Sequence, residues 1–140
     1  MANVMQLDVL SPDAYVFTAD NISYVGVKTT SGNVGIEPRH ATMMATLAQA
    51  PLKYRDDRGN ARYLFVDGGF LEVKDNKVTV LSVAAEPAES IDTAKAQADL
   101  ERAQDKIDNP KGEVSMDEAV RDLNRAQARL KTAQLAGARA

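Results

Sequence analysis

Ala84-Ala85-Glu86-Pro87-Ala88-Glu89-Ser90 divides this 140-residue chain into two unlike parts. All seven aromatic residues and six of the eight glycines precede it, and two Ala-rich, charge-rich runs without an aromatic follow it. Pro87 lacks the N–H that a strand ladder needs and has a fixed φ, so it stops whatever comes before. Ser90 is suited to cap whatever comes after. The stretch therefore reads as the seam between a β part, residues 1–86, and a helical hairpin, residues 87–140.

Upstream of the seam, Met5, Leu7 and Val9 alternate with Gln6 and Asp8, the period of a half-buried strand. Ser11-Pro12-Asp13 is a turn. Tyr15 and Phe17 begin a second extended run that closes near Asp20-Asn21, and residues 22–29 make a third with Gly26 inside it. Thr30-Ser31-Gly32-Asn33 turns into Val34-Gly35-Ile36. Residues 41–50 fit a short helix or an extended run, ended by Pro51. Asp56-Asp57-Arg58-Gly59-Asn60 joins a hairpin. Its second arm carries Tyr63 and Phe65 on one face and Leu64 and Val66 on the other, so that arm should lie between layers. Asp67-Gly68-Gly69 is expected to break the ladder, and a last hairpin turns at Lys74-Asp75-Asn76. Eight or more short strands at this spacing predict an antiparallel β-sandwich or flattened barrel.

Downstream, Ala96, Leu100, Ala103 and Ile107 recur at helical spacing. Asn109-Pro110-Lys111-Gly112 stops that helix. Ser115-Met116-Asp117-Glu118 is a capping box for a second helix, striped by Met116, Ala119, Leu123, Ala126, Leu130 and Ala133. The short connection makes the two helices antiparallel neighbours. Nine large aliphatic residues beyond Pro87 are few for a free-standing unit, so the hairpin should need a surface to dock on.

The net charge of −3 is shared by both parts, which removes any general attraction to nucleic acid. There is no cysteine, so disulfides and thiolate metal sites are excluded. No apolar run reaches bilayer length, and Met1-Ala2-Asn3-Val4 lacks the regions of a signal peptide. A soluble or peripheral protein is expected. No catalytic constellation and no metal-ligand cluster is present: His40 is the single histidine, and Asp56-Asp57 and Asp75 read as turn formers. Arg121, Arg125 and Arg129 lie on one ridge of the second helix. That ridge is either a solvated face paired with nearby acids or a site for an anion met by guanidinium forks. An alternative reading of the whole chain is a stand-alone ligand-binding sandwich, using Tyr15, Tyr24, Tyr54 and Tyr63, with an oligomerising helical tail.

Three segments resemble one family. They are Gly32-Asn33-Val34-Gly35-Ile36-Glu37-Pro38-Arg39-His40-Ala41, then Val66-Asp67-Gly68-Gly69-Phe70-Leu71-Glu72-Val73, then Ala-rich helices after a Glu-Pro junction. In order and spacing they are similar to the epsilon subunit of the bacterial F-type ATP synthase. The resemblance implies a non-catalytic central-stalk subunit that turns with the rotor and couples proton translocation to ATP synthesis. The sandwich would contact the gamma subunit and the c-ring, the latter through Ser31, Gly32, Glu37, Arg39 and His40. The complex would hold it at the cytoplasmic face of the bacterial inner membrane. The hairpin would inhibit ATP hydrolysis when extended into the alpha/beta subunits, with Arg121, Arg125 and Arg129 meeting a beta subunit. No cofactor is required, but a regulatory ATP site is implied at Ile91, Asp92, Lys95, Ala96, Arg121 and Arg125. Lys95 stands where that family's motif has arginine, and it lacks the planar fork. A hinge is expected near residues 86–89.

Overall fold

The computed structural model describes residues 3–12, 15–112 and 115–137. Of the residues used above, Met1, Ala2, Asp13 and the Tyr15 side chain lie outside the described residues. The elements are β1 (Met5–Leu10), β2 (Tyr15–Thr29), β3 (Gly32–Ile36), β4 (Met43–Asp56), β5 (Ala61–Lys74), β6 (Lys77–Leu81), β7 (Ala85–Pro87), a 3-10 turn over Ala88–Ser90, α1 (Thr93–Asp108) and α2 (Met116–Gly137). Hydrogen-bonded neighbours run β1-β6-β5-β4-β2-β3, and β1 also pairs with β2, so the sheet closes on itself. This is the expected flattened barrel followed by a helical hairpin. One pairing departs from the antiparallel pattern: β1 and β6 run parallel, with Leu7 beside Val78 and Val9 beside Val80.

The strands are fewer and longer than the turn signals predict. Asp20-Asn21 does not end a strand. β2 runs through it and absorbs the bend as a register shift between the Leu7–Ala19 and Met5–Ile22 pairs. Residues 43–50 are strand rather than helix, paired along β5 from Met43–Val73 to Ala50–Val66. Pro51 lies inside β4 instead of ending it. It sits opposite Phe65, in the stretch 48–52 where β4 has no assigned partner on β2, so its missing N–H breaks no rung on that side.

Asp67-Gly68-Gly69 does not break the ladder either. The β4–β5 register is the same on both sides, with Gln49 opposite Asp67 and Leu47 opposite Gly69. Gly68 and Gly69 take φ of +71° and +108°, and β5 changes partner there, from β7 at Leu64–Val66 to β6 from Phe70 on. A Cβ on Gly69 would lie 1.9 Å from the Leu81 carbonyl oxygen, so this crossing requires glycine.

Leu7, Val9, Ile22, Val25, Leu52 and Leu71 are among the residues that fill the barrel. A second cluster forms outside it, where Phe65 packs on Ile91 and Ala128. The two apolar faces of the arm at residues 61–66 are thereby explained. Leu64 and Val66 join the barrel core, and Phe65 faces the hairpin.

Asp92, rather than Ser90, caps α1: its carboxylate accepts from the Lys95 N–H at 3.0 Å. Ser90 is taken up in the 3-10 turn, which the Ile91 N–H closes onto Ala88 O. The Ser115 hydroxyl accepts from the Glu118 N–H at 3.3 Å, as its capping position predicts. Ala96 and Ala103 of α1 and Ala119 and Ala126 of α2 are buried, as the stripes require, whereas Met116 is 44% exposed. α2 also buries Ala128 and Thr132, small residues that let it approach the barrel closely. The seam itself is structured, because Glu86 of β7 pairs with Phe65 of β5. In this docked arrangement Glu86 is held in the sheet, and the first residues outside it are those of the 3-10 turn.

Candidate functional site

The arginine ridge of α2 is turned onto the barrel. Arg125 Nε donates to Asp67 Oδ2 at 2.8 Å, and its Nη1 donates to Asp122 at 2.9 Å. Asp67 also accepts from Gln49 Nε2 at 2.6 Å. The hydrogen bond to Asp67 outweighs burial and holds the Arg125 guanidinium above its ordinary range. Arg129 grips Glu86 with two prongs, at 3.0 and 3.1 Å, and its Nη1 lies 3.9 Å from Asp99. Arg121 is exposed, and its carbonyl accepts from Gln49 Nε2 at 3.3 Å. Two of the three arginines are thus clamps between hairpin and barrel rather than a solvated face. Helical spacing could not show this, because the acids on the barrel lie 58 and 43 residues away in sequence.

Between α1 and α2 is a cleft of about 220 Å³, lined by Asp99, Arg102, Lys106, Asp122, Arg125 and Arg129 among others. Arg102 and Lys106 were not singled out from the sequence. Their signal is an i, i+4 cationic pair on α1 that matches the spacing on α2. Arg102 is held by Asp99 at 2.7 Å. The residues at the start of α1 do not line the cleft. Ile91 packs on Phe65, Ala96 is fully buried, Asp92 caps the helix and Lys95 is exposed. The structure therefore brings Arg125 into the cleft but leaves Ile91, Asp92, Lys95, Ala96 and Arg121 out of its wall.

The five residues that the resemblance assigns to the c-ring contact, Ser31, Gly32, Glu37, Arg39 and His40, do not lie on one loop. β3 comes between them, so Ser31 and Gly32 lie at one end of a five-residue strand and Glu37, Arg39 and His40 at the other, roughly 13 Å apart at strand rise. Arg39 adopts φ of +66°, and its N–H donates to Asn76 Oδ1 at 2.9 Å. Asn76 in turn donates to Val4 O at 2.7 Å, which ties this loop to the start of β1. The His40 Nδ1 lies 2.8 Å from Ala41 O. Asp56 is a turn former: it accepts from the Arg58 and Asn60 N–H groups at 2.9 and 3.0 Å. Among the described residues no group of three or more His, Asp or Glu could hold a metal ion.

Tyr24 and Tyr54 do not share a face. Tyr54 stacks on Phe17 beside the barrel core, whereas Tyr24 lies across Gly26 and Gly35 on the outer surface, beneath Arg55. A different surface was not legible in the sequence. Met44, Phe70, Leu81 and Val83 are 72, 58, 50 and 66% exposed. Phe70 pairs directly with Leu81, and Met44 lies one step away on β4, so three of them form an apolar outer face.

The barrel matches the family model for the ATP synthase delta/epsilon chain, beta-sandwich domain, over residues 4–88. The hairpin matches that for the delta/epsilon chain, long alpha-helix domain, over residues 89–134. The chain belongs to the delta/epsilon-chain family of ATP synthase subunits. Its relatives in that family include the ATP synthase epsilon chain of Nitratidesulfovibrio vulgaris, 37% identical over 94% of this chain and 96% of that one. The epsilon chain of Lawsonia intracellularis is 42% identical over 76% of this chain and 79% of the other. That of Staphylococcus aureus is 32% identical over 95% and 98%. The delta/epsilon fold recurs in a chain of the Euglena gracilis mitochondrial ATP synthase, solved as OSCP/F1/c-ring. Its TM-score is 0.80 at 24% identity, covering 96% of this chain and 82% of that one. A chain of the Tetrahymena thermophila enzyme, in a central stalk/c-ring structure, gives a TM-score of 0.63 at 18% identity, covering 92% and 96%. No helix among the described residues is long and apolar enough to cross a membrane.

Proposed function

We propose that this chain is the non-catalytic rotor subunit of a bacterial ATP synthase, held at the cytoplasmic face of the inner membrane through the complex. It couples proton movement to ATP synthesis, and its hairpin restrains ATP hydrolysis. One observation carries the regulatory part. The hairpin is held to the barrel by a small apolar cluster around Phe65 and by two arginine–carboxylate pairs, a set that can be broken without unfolding the barrel core. The gamma subunit would cover the apolar face at Met44, Phe70 and Leu81. The c-ring would meet one end of β3, and the alpha/beta subunits would receive Arg121, Arg125 and Arg129 once the hairpin extends.

A regulatory ATP is proposed on the hairpin. Its phosphates would compete with Asp67, Asp122 and Glu86 for the arginine forks, so affinity should be low and should rise when those acids are neutralised. Calorimetry of the chain with ATP, beside Arg125→Ala and Lys95→Ala, tests this; absence of heat at millimolar ATP removes the nucleotide from the proposal. Removal of residues 88–140 tests the regulation itself. Hydrolysis by the reconstituted complex should rise while the barrel still joins gamma. Unchanged hydrolysis would overturn the restraining role.

A further inference from the structure

β4 leaves β2 between the Lys53–Gly26 and Leu47–Thr29 pairs, so five residues of β4, 48–52, face two of β2. α2 lies across this bulge and leaves a crevice of about 560 Å³. The barrel supplies Lys28 and Gln49; the hairpin supplies Asn124, Gln127 and Lys131. Among the described residues neither lysine has an ion pair, Asn124 and Gln127 have no hydrogen bond, and no carboxylate lines the crevice. Asp67, next to the lining Gly68, is already taken by Arg125 and Gln49. Leu47, Ala50, Pro51 and Ala128 supply an apolar floor. A concavity with two unpaired cations and two free amides is the reverse of the chain's net charge of −3.

We propose that this crevice binds a small oxyanion, a phosphate or a phosphomonoester. Lysines act as point charges for such groups, and the amides donate hydrogen bonds. The site shares no lining residue with the cleft between the helices. Because its lysines come from the barrel and from α2, a bound anion recognises the docked arrangement and pins the hairpin in it. That consequence rests on the hairpin reading above; binding itself does not.

The test is a low-salt NMR titration of the full chain with inorganic phosphate and with glycerol 3-phosphate. Saturable shifts are expected at the backbone amides of Ala48, Gln49 and Ala50 and at the side-chain amides of Asn124 and Gln127. Lys28→Gln and Lys131→Gln should each weaken binding about two- to fivefold, the range of one exposed charge contact. Arg102→Gln should leave it unchanged. Tighter binding of glycerol 3-phosphate supports an ester ligand, and equal binding supports the bare anion. Shifts confined to the surroundings of Arg102 and Lys106, or an affinity indifferent to both lysine changes, would overturn the site. Pinning is read separately, as slower hydrogen exchange in β7 and α2 when phosphate is present.

Discussion

Arg129 and Glu86 form a two-pronged pair, Nε to Oε2 at 3.0 Å and Nη2 to Oε1 at 3.1 Å, that ties the middle of α2 to strand β7. Their side chains are 15 and 27% exposed, so neither is fully screened by water. Arg129→Ala leaves Glu86 half-buried without its partner and should destabilise the docked hairpin by about 1–3 kcal/mol. Arg129→Lys should recover part of this, since the charge returns without the fork. Hydrogen exchange of α2 amides reads the effect; unchanged protection in Arg129→Ala would show that the pair does not hold the hairpin.

Asp67 serves two partners from different elements, Arg125 of α2 and Gln49 of β4. At 7% exposure its side chain is the more deeply placed end of the pair with Arg125. A double-mutant cycle with Asp67→Asn and Arg125→Gln should give a coupling of about 1–2 kcal/mol. The coupling should survive added salt better than that of the exposed Asp99–Arg102 pair. Equal salt sensitivity of the two would contradict the burial of Asp67.

Gly69 and Gly59 both have positive φ, +108° and +83°, but only the first lacks room. Gly59→Ala meets nothing within 4 Å and should cost only the backbone strain, about 1 kcal/mol. Gly69→Ala drives a methyl into the backbone at Leu81 and Ser82 and should cost about 3 kcal/mol or more. Urea unfolding of the two variants side by side checks the ranking.

Asp8 is a buried carboxylate at the start of the barrel, held by Thr18, Gln6 and Lys77. Burial raises its pKa, but the bonds from Thr18, Gln6 and Lys77 outweigh it and bring it below the ordinary 3.8. A carboxylate depressed in the folded state adds stability that is present above its unfolded pKa and lost as pH falls through the folded one. Wild-type stability should therefore fall below about pH 4, and Asp8→Asn should flatten that limb while lowering stability at neutral pH. An acid limb identical in the two proteins would exclude Asp8 as a contributor.

Much of the fold was legible because its causes are local. The alternation at Met5, Leu7 and Val9, the turn at Asp56–Asn60 and the cap at Ser115 each act within a few residues. The misreadings share one cause. Asp20-Asn21, Pro51 and Asp67-Gly68-Gly69 carry turn signals, yet each lies inside a long strand. Pairing on one side or on the flanks carries each through: β1 takes up Asp20-Asn21 as a register shift, and the unbroken β4–β5 ladder holds Pro51 and Asp67-Gly68-Gly69 in line, where the isolated segment would turn into a loop. The candidate site was less legible. The sequence identified the arginine ridge, but its partners Asp67 and Glu86, and the cleft cations Arg102 and Lys106, depended on how α1, α2 and the barrel come together.

The sequence by itself determined that a β barrel precedes a helical hairpin, because aromatic, glycine and periodicity signals change together at Pro87. It also determined that β5 must serve two layers, through Leu64 and Val66 on one face and Phe65 on the other. Only the tertiary structure decided which face of α2 meets the barrel. That choice turns on small buried residues, Ala128 and Thr132, and on charge pairs spanning more than forty residues. Helical periodicity picks out the face of Leu123, Ala126 and Leu130 by its hydrophobicity, and it cannot show that the more polar face of Arg125, Ala128, Arg129 and Thr132 meets the barrel.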